Sequence, residues 1–254
     1  MLKKKFGQNF LINETIANKI INSENILSKN ILEIGPGNLA LTKYILKKKP
    51  KQFISLEIDN DLKKLYDKDI VKFILFEDAR RFNELKFFNN KKFSIISNLP
   101  FNISSTLLLK WNLLQNNYSC IDSMTLMFQK ELAERIISKE NTKQYGRLSI
   151  ITQAFFKIEK KLEVFKESFK PQPKVDAIVL KFTPHKTNKI SKKNFTKLEK
   201  VTQFFFNERR KKNEKKIKKI FSSSQISNYN FDKLFSQRAE NINKEIYYKM
   251  SELI

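Results

Sequence analysis

The sequence predicts an α/β fold, a Rossmann-like sheet followed by a small all-helical domain, and three observations carry that expectation. Short apolar runs alternate with amphipathic stretches through the first two thirds of the chain, as they do when strands and helices alternate. A glycine-bearing turn, Gly35-Pro36-Gly37, separates the first apolar run from the first helical pattern. After Pro184 the alternation stops and a basic, helix-periodic stretch begins.

The elements follow in order. Ile31-Leu32-Glu33-Ile34 reads as a buried strand ending at the glycine turn, with a helical pattern near Leu41–Leu46 behind it. Phe53-Ile54-Ser55-Leu56-Glu57-Ile58 is a second strand, followed by an amphipathic stretch to about Tyr66. Val71–Phe76, Phe93–Ser97 and Met124–Phe128 are further buried strands, and helical patterns occupy about 103–115 and 130–138. A late β pair at about 157–165 and 174–183 is expected to be antiparallel, because its connection contains Pro171 and Pro173. The sheet as a whole is therefore expected to be mostly parallel, with both faces covered. From Lys186 to Ile220 there are 14 Lys or Arg against three Glu, and Leu198, Val201, Phe205, Ile217 and Ile220 recur at helical spacing. The expected division is a first domain over 1–184 and a basic helical domain over 185–254.

Composition narrows the function classes. The 254 residues carry 50 Lys or Arg against 26 Asp or Glu, a formal charge of +24. Such an excess attracts polyanions, above all nucleic-acid phosphates. A chain rich in Lys, Asn, Ile and Phe is also what an A- and T-rich genome produces, so charge alone does not name the polyanion. One Cys and one His make neither a disulfide nor a zinc site, so no metal is expected. The first residues lack the apolar core of a signal peptide, and no run approaches a membrane span. A cytoplasmic protein with no membrane partner is expected.

Candidate functional residues cluster at predicted strand ends. Gly35 and Gly37 let a ligand approach the backbone with no Cβ in the way. Glu57, about 20 residues on at the end of the second strand, is placed to accept from both hydroxyls of a ribose. Asp78, just past the third strand, is placed to accept from an adenine amino group. Acidic residues at strand ends are common singly; three successive strand ends bearing Gly, Glu and Asp suit an adenosyl ligand. The fourth strand runs into Asn98-Leu99-Pro100-Phe101. An exocyclic adenine amine is a poor nucleophile because its lone pair is delocalised. The Asn98 side-chain oxygen and the Leu99 carbonyl would accept its protons and favour a more sp³-like nitrogen. Pro100 stiffens the turn and Phe101 offers a face for stacking. Alone, this tetrapeptide is equally an ordinary strand-to-helix turn.

These residues resemble the KsgA-type ribosomal RNA small-subunit adenine dimethyltransferases, over nearly the whole chain. Phe6-Gly7-Gln8-Asn9-Phe10-Leu11 resembles the family's N-terminal motif, and the resemblance implies that Asn9 and Leu11 lie over the cofactor. Glu33–Gly37 with Leu41-Thr42, then Glu57, Asp78 and Asn98–Phe101 with Ile103-Ser104, match the next motifs. Phe128–Glu131 and Tyr145–Ser149, which includes Arg147, match further segments. Phe169, ahead of Pro171–Asp176, matches an aromatic that closes over the target base. Arg209-Arg210-Lys211 and Arg238–Asn241 fit the basic domain, with Arg147, Arg209, Arg210 and Lys211 as RNA contacts.

The resemblance implies a class I methyltransferase sheet that uses S-adenosyl-L-methionine. The implied reaction dimethylates N6 of two adjacent adenosines in a hairpin near the 3′ end of small-subunit (16S) rRNA. The implied partner is the immature small ribosomal subunit, and a monomer is expected. This sequence departs from the family pattern at three places. Leu39 stands where many methyltransferases carry a third Gly, so a reshaped adenosyl pocket is expected. Phe101 stands where Tyr is frequent. Lys212-Asn213-Glu214 replaces a more usual Thr and apolar residue. Three alternatives share part of the pattern: a large-subunit rRNA adenine methyltransferase of the antibiotic-resistance type, an amino-methyltransferase acting on DNA adenine or on glutamine side chains, which shares the tetrapeptide, and a non-catalytic ribosome-assembly factor on the same fold.

Overall fold

The computed structural model describes residues 8–254, so Phe6 and Gly7 of the N-terminal motif lie outside the described residues. The strands are β1 (Phe10–Leu11), β2 (Asn30–Ile34), β3 (Gln52–Glu57), β4 (Ile74–Phe76), β5 (Phe93–Asn98), β6 (Ile121–Gln129), β7 (Phe156–Val164), β8 (Phe169–Lys170) and β9 (Ala177–Pro184). The helices of the first half are α1 (Glu14–Asn22), α2 (Thr42–Lys47), the short α3 (Lys68–Val71) and α4 (Glu84–Phe87), α5 (Ser104–Tyr118) and α6 (Lys130–Ile137). They are followed by α7 (Arg147–Gln153), α8 (Phe195–Asn207), α9 (Glu214–Ile220), α10 (Ser223–Asn228) and α11 (Lys244–Leu253).

Seven strands form one sheet in the order β4-β3-β2-β5-β6-β9-β7. β2 pairs in parallel with β3 and β5, β3 with β4, and β5 with β6, while β9 runs antiparallel to β6. The late β pair thus joins the main sheet, with β9 between β6 and β7. Every residue of β2 is buried, which is what a central strand covered on both faces requires. The strand order reverses at the β2–β5 boundary, and such a switch point leaves a crevice at the carboxyl ends of the strands.

Several local expectations are corrected. The third predicted strand starts at Ile74, because Lys68–Val71 closes a helical turn whose Phe73 amide bonds Ile70 O at 2.9 Å. The amphipathic stretch before Tyr66 is a 3-10 helix over Asn60–Leu65, started by Asp59 accepting from the Asp61 amide at 3.3 Å. The two-residue strands β1 and β8 form a separate antiparallel ribbon, with Phe10 opposite Lys170 and Leu11 opposite Phe169. α1 opens on Asn13, whose side chain accepts from the Ile16 amide, and buries Ala17, Ile20 and Ile21.

The chain separates into two compact units, one comprising residues up to Ala133 together with Lys157–Pro184, the other Glu134–Phe156 with His185–Ile254. Residues 134–156 group with those after Pro184. The physical reason lies in α7. It packs against α8, and the Tyr248 hydroxyl of α11 donates to Ile150 O at 3.0 Å. The same segment is tied by Asn141 N to Glu240 O at 2.9 Å and by Asn243 Nδ2 to Glu140 Oε1 at 2.8 Å. In the second unit α8 buries Leu198, Val201 and Phe205, and Phe205 meets Tyr247 edge-on with ring centroids 5.7 Å apart. Full burial of side chains of that size contributes about 1.5–3 kcal/mol each.

Candidate active site at the carboxyl ends of the strands

Two adjoining cavities open in the first unit. One, of about 440 Å³, is lined by residues that include Asn9, Phe10, Gly37, Asn98, Leu99 and Phe101. The other, of about 680 Å³, is lined by residues that include Glu77, Asp78, Ala79, Arg80 and Asn102. Gly35, Glu57, Ile58 and Pro100 belong to both walls. The ends of β2, β3 and β5 thus meet at one place.

The glycine turn earns its glycines twice. Gly35 and Gly37 have φ of +66° and +52°, in the left-handed region where a Cβ is strained. A Cβ on Gly37 would also lie 2.6 Å from two ring carbons of Phe10. The absent side chain is what lets β1 close over the turn. Pro100 packs on Gly35, whose Cβ would sit 3.3 Å from Pro100 Cγ, so the two predicted motifs touch. Gly35 N donates to Leu56 O at 2.8 Å, Tyr66 Oη to Gly37 O at 2.8 Å and Ser97 Oγ to Ile34 O at 2.7 Å.

Beneath the turn lies Glu33, 2% exposed, accepting from Thr42 Oγ1 at 2.7 Å and Ser55 Oγ at 3.1 Å. Burial raises its carboxyl to about pKa 7, opposed by the two hydroxyl donors. Glu57 Oε1 accepts from the Ile58 and Asp59 amides, both at 2.9 Å. Burial raises its pKa, while backbone donors at Asp59, Gly37 and Ile58 pull it back.

Asp78 is held by Arg80. The Arg80 amide and Nε approach Oδ1 at 2.9 and 3.0 Å, and Nε and Nη2 approach Oδ2 at 3.1 and 2.6 Å. These donors hold the Asp78 carboxyl below its ordinary pKa. The loop behind it is anchored by Lys110, whose ammonium donates to Ala79 O at 2.8 Å and Phe82 O at 2.6 Å and pairs with Glu84 at 2.8 Å.

Asn98 ends β5 opposite Met127 of β6. Its Nδ2 donates to Asn9 O at 3.1 Å, which leaves Oδ1 buried and without any hydrogen-bond partner. A buried amide oxygen left unmatched costs roughly 1–3 kcal/mol, so the position invites a donor. The turn that follows is fixed by Ile103 N to Pro100 O at 3.1 Å and Ser104 Oγ to Phe101 O at 3.0 Å. Phe101 is half-buried and lines the same cavity.

Of the residues singled out from sequence, Asn9, Gly35, Gly37, Glu57, Asp78, Asn98, Leu99, Pro100 and Phe101 line one or both cavities. Leu11 and Phe169 do not. They are 1% and 3% exposed and belong to the hydrophobic core, because the β1–β8 register turns both side chains into it. Leu11 contributes its backbone instead, accepting from Asn38 Nδ2 at 2.7 Å. Leu39 lines neither cavity; it holds φ +67° with its side chain buried. Phe10, Ile58 and Arg80 were missed. Phe10 lay inside a quoted motif, and Arg80 carried no pattern of its own.

The four cations expected to touch RNA all lie in the second unit, in different circumstances. Arg147 is exposed at the start of α7, and Arg210 is exposed. Lys211 pairs with Glu208 at 2.5 Å. Arg209 is turned inward, pairing with Glu240 and donating to Lys143 O at 2.9 Å, so its guanidinium braces the unit. Lys216, nominally part of the basic run, is buried and donates to Phe205 O and Glu208 O at 2.7 and 2.9 Å, which satisfies carbonyls at the end of α8.

A mixed, mostly parallel sheet with a glycine turn, a strand-end Glu and an Asn-Leu-Pro-Phe turn around one crevice defines a class I methyltransferase α/β fold. Comparison with known proteins takes this further. The family model for ribosomal RNA adenine dimethylase matches residues 1–254. The chain belongs to the ribosomal RNA adenine dimethylase family and is a methyltransferase. It is 40% identical to "Ribosomal RNA small subunit methyltransferase A" of Pelagibacter ubique, covering 98% of this chain and 95% of that one. The protein of the same name from Mycoplasmopsis pulmonis is 36% identical, covering 98% and 97%. Among solved structures, a dimethyladenosine transferase from Plasmodium falciparum superposes with a TM-score of 0.78 at 25% identity, covering 95% of each chain. The 23S rRNA methyltransferase ErmE shares the fold, with a TM-score of 0.73 at 20% identity over 96% and 98%.

Proposed function

We propose that this protein binds S-adenosyl-L-methionine and dimethylates N6 of two adjacent adenosines in a hairpin near the 3′ end of small-subunit rRNA, acting on the immature small ribosomal subunit in the cytoplasm. The observation that carries this reading is the buried, unmatched Asn98 Oδ1 on the wall shared with the glycine turn. An extruded adenine amine is a donor of the right kind for it. The small-subunit substrate is supported by the names of the relatives at 36–40% identity, which favour it over the large-subunit alternative.

The residues present fit the cofactor. Glu57 offers a carboxylate at a strand end for ribose hydroxyls, and Asp78 one for the adenine amino group. Gly35 and Gly37 keep the floor free of side chains. When bound, S-adenosylmethionine supplies a methyl group activated by a sulfonium. Asn98 Oδ1 and the Leu99 carbonyl accept the amino protons of the target base, which localises the nitrogen lone pair. Pro100, packed on Gly35, fixes those acceptors relative to the cofactor floor, and Phe101 gives the base an aromatic face. No strong base is needed, because the proton leaves after transfer, so the chain's contribution is mainly positioning. Phe169 supports this site from the core through its pairing with Leu11.

Asn98→Ala should abolish methyl transfer to undermethylated small subunits, read with labelled cofactor and mapped to nucleotides, while calorimetric affinity for S-adenosylmethionine stays nearly unchanged. Persisting transfer would remove Asn98 from its role. Absence of cofactor binding by the unmodified protein would favour a non-catalytic assembly factor.

A further inference from the structure

A carboxylate has about four acceptor positions. At Asp78 one residue engages them all: the Arg80 amide, Nε and Nη2 make four contacts of 2.6–3.1 Å with the two oxygens. Both side chains line the 680 Å³ cavity; Arg80 is exposed, at 49%, and Asp78 is 20% exposed. A ligand that donates to Asp78 must therefore open part of this pairing.

We propose that Arg80 is a latch on the adenosyl pocket: its guanidinium competes with the amino group of the ligand's purine for Asp78, and so sets how strongly the pocket prefers an amino-bearing purine. The inference rests on the adenosyl reading of the site. Two features give the competition its sign. The Arg80 backbone amide already holds Asp78 Oδ1, and a substitution of the side chain leaves that contact in place, so the guanidinium is not needed to aim the carboxylate. The guanidinium is a rigid planar fork, and surrendering one prong weakens its whole engagement. Neighbouring anchors are independent of it, since the Ala79 and Phe82 carbonyls are held by Lys110.

The pair is exposed and screened by solvent, so relieving it corresponds to a modest gain of about 1.5- to fivefold in affinity. Calorimetric titration with S-adenosylhomocysteine should therefore give Arg80→Ala a dissociation constant lower by about that factor than the unmodified protein. S-inosylhomocysteine presents a carbonyl oxygen where the amino group stood. It offers Asp78 nothing there, and its affinity should not rise. In about 1 M salt, where the screening length is roughly 3 Å, the gap between the two proteins for the adenosyl ligand should narrow. An unchanged or weaker adenosyl affinity in Arg80→Ala, or an equal gain for both ligands, overturns the latch. An Asp78→Ala variant separates this from the parent reading. If it loses adenosyl affinity while Arg80→Ala fails to gain, only the latch is wrong. If the unmodified protein binds neither ligand, or Asp78→Ala binds as well as it does, the adenosyl assignment falls and the latch with it.

Discussion

The carboxyl of Glu33 sits under the glycine turn with two hydroxyl donors and almost no water, and burial raises it to about pKa 7. An unfolded chain gives up this proton near the ordinary glutamate value of 4.5. Between those two values the folded chain keeps a proton that the unfolded chain has lost. The stability from Glu33 is thus complete below about pH 4.5 and is lost as pH rises towards 7. The full size is about 3–4 kcal/mol at roughly 1.4 kcal/mol per pKa unit, of which about 2–3 kcal/mol falls between pH 5 and pH 8. Urea titrations of the unmodified protein and Glu33→Gln should show the variant gaining by about that amount between pH 5 and pH 8. A difference independent of pH would mean that the carboxyl is ionised in the fold throughout. The residue scale is also where sequence reads best. Glu57, Asp78 and Asn98 are legible because a strand end followed by a turn fixes where a side chain emerges. Arg80 is not, because its meaning comes from a fork that closes on a residue two places back, and no periodicity announces it.

At the scale of elements, the apolar runs are readable because strands buried on both faces need mostly hydrophobic sequence, as β2 and β5 have apart from Glu33, two serines and a terminal asparagine in each. The ribbon of β1 and β8 was not, since two residues carry no period and their pairing spans about 160 positions of chain. The helical turn α3 hid inside an apolar run for the same reason of length. α1 did carry a signal, Asn13 before Ile16, Ala17, Ile20 and Ile21, that a reading centred on the glycine turn passes over. The ribbon matters because Phe10 lies on Gly37. Gly37→Ala should push Phe10 away and strain a backbone with φ +52°. Affinity for S-adenosylhomocysteine should fall at least about tenfold, an effect of roughly 1.4 kcal/mol. Amide exchange at 9–12 should quicken as well. Adding Phe10→Ala should restore part of the slow exchange by making room for the methyl. If the double variant is no slower than the single one, the collision is not the cause.

For the molecule as a whole, a charge of +24 stands out in the sequence, yet the structure divides the cations by job. Arg209 and Lys216 are spent on internal partners, whereas Arg210, Lys212 and Lys215 face solvent. A basic run read from sequence cannot make this division, because which lysine turns inward depends on where the end of α8 needs a donor. Arg209→Ala should therefore cost folding stability, about 1–2 kcal/mol by chemical denaturation given its part-exposed pairing with Glu240. Alanine at Arg210, Lys212 and Lys215 together should leave the midpoint almost unmoved. It should instead flatten the dependence of log affinity for rRNA on log salt by about 2–3. An unchanged slope would make that face ordinary solvated surface. The grouping of 134–156 with the later residues escaped a linear reading on similar grounds: the apolar side of α7 finds its partner in α8, some 50 residues on.

The pairing of Phe10–Leu11 with Phe169–Lys170 has a consequence for synthesis. Strands β2, β3 and β5 are all made within the first hundred residues, and a nascent chain could assemble that parallel core while still on the ribosome. The wall bearing Asn9 and Phe10 acquires its clasp only after the segment around residue 170 has emerged. A growing polypeptide therefore has the floor of its crevice well before it can shut one side.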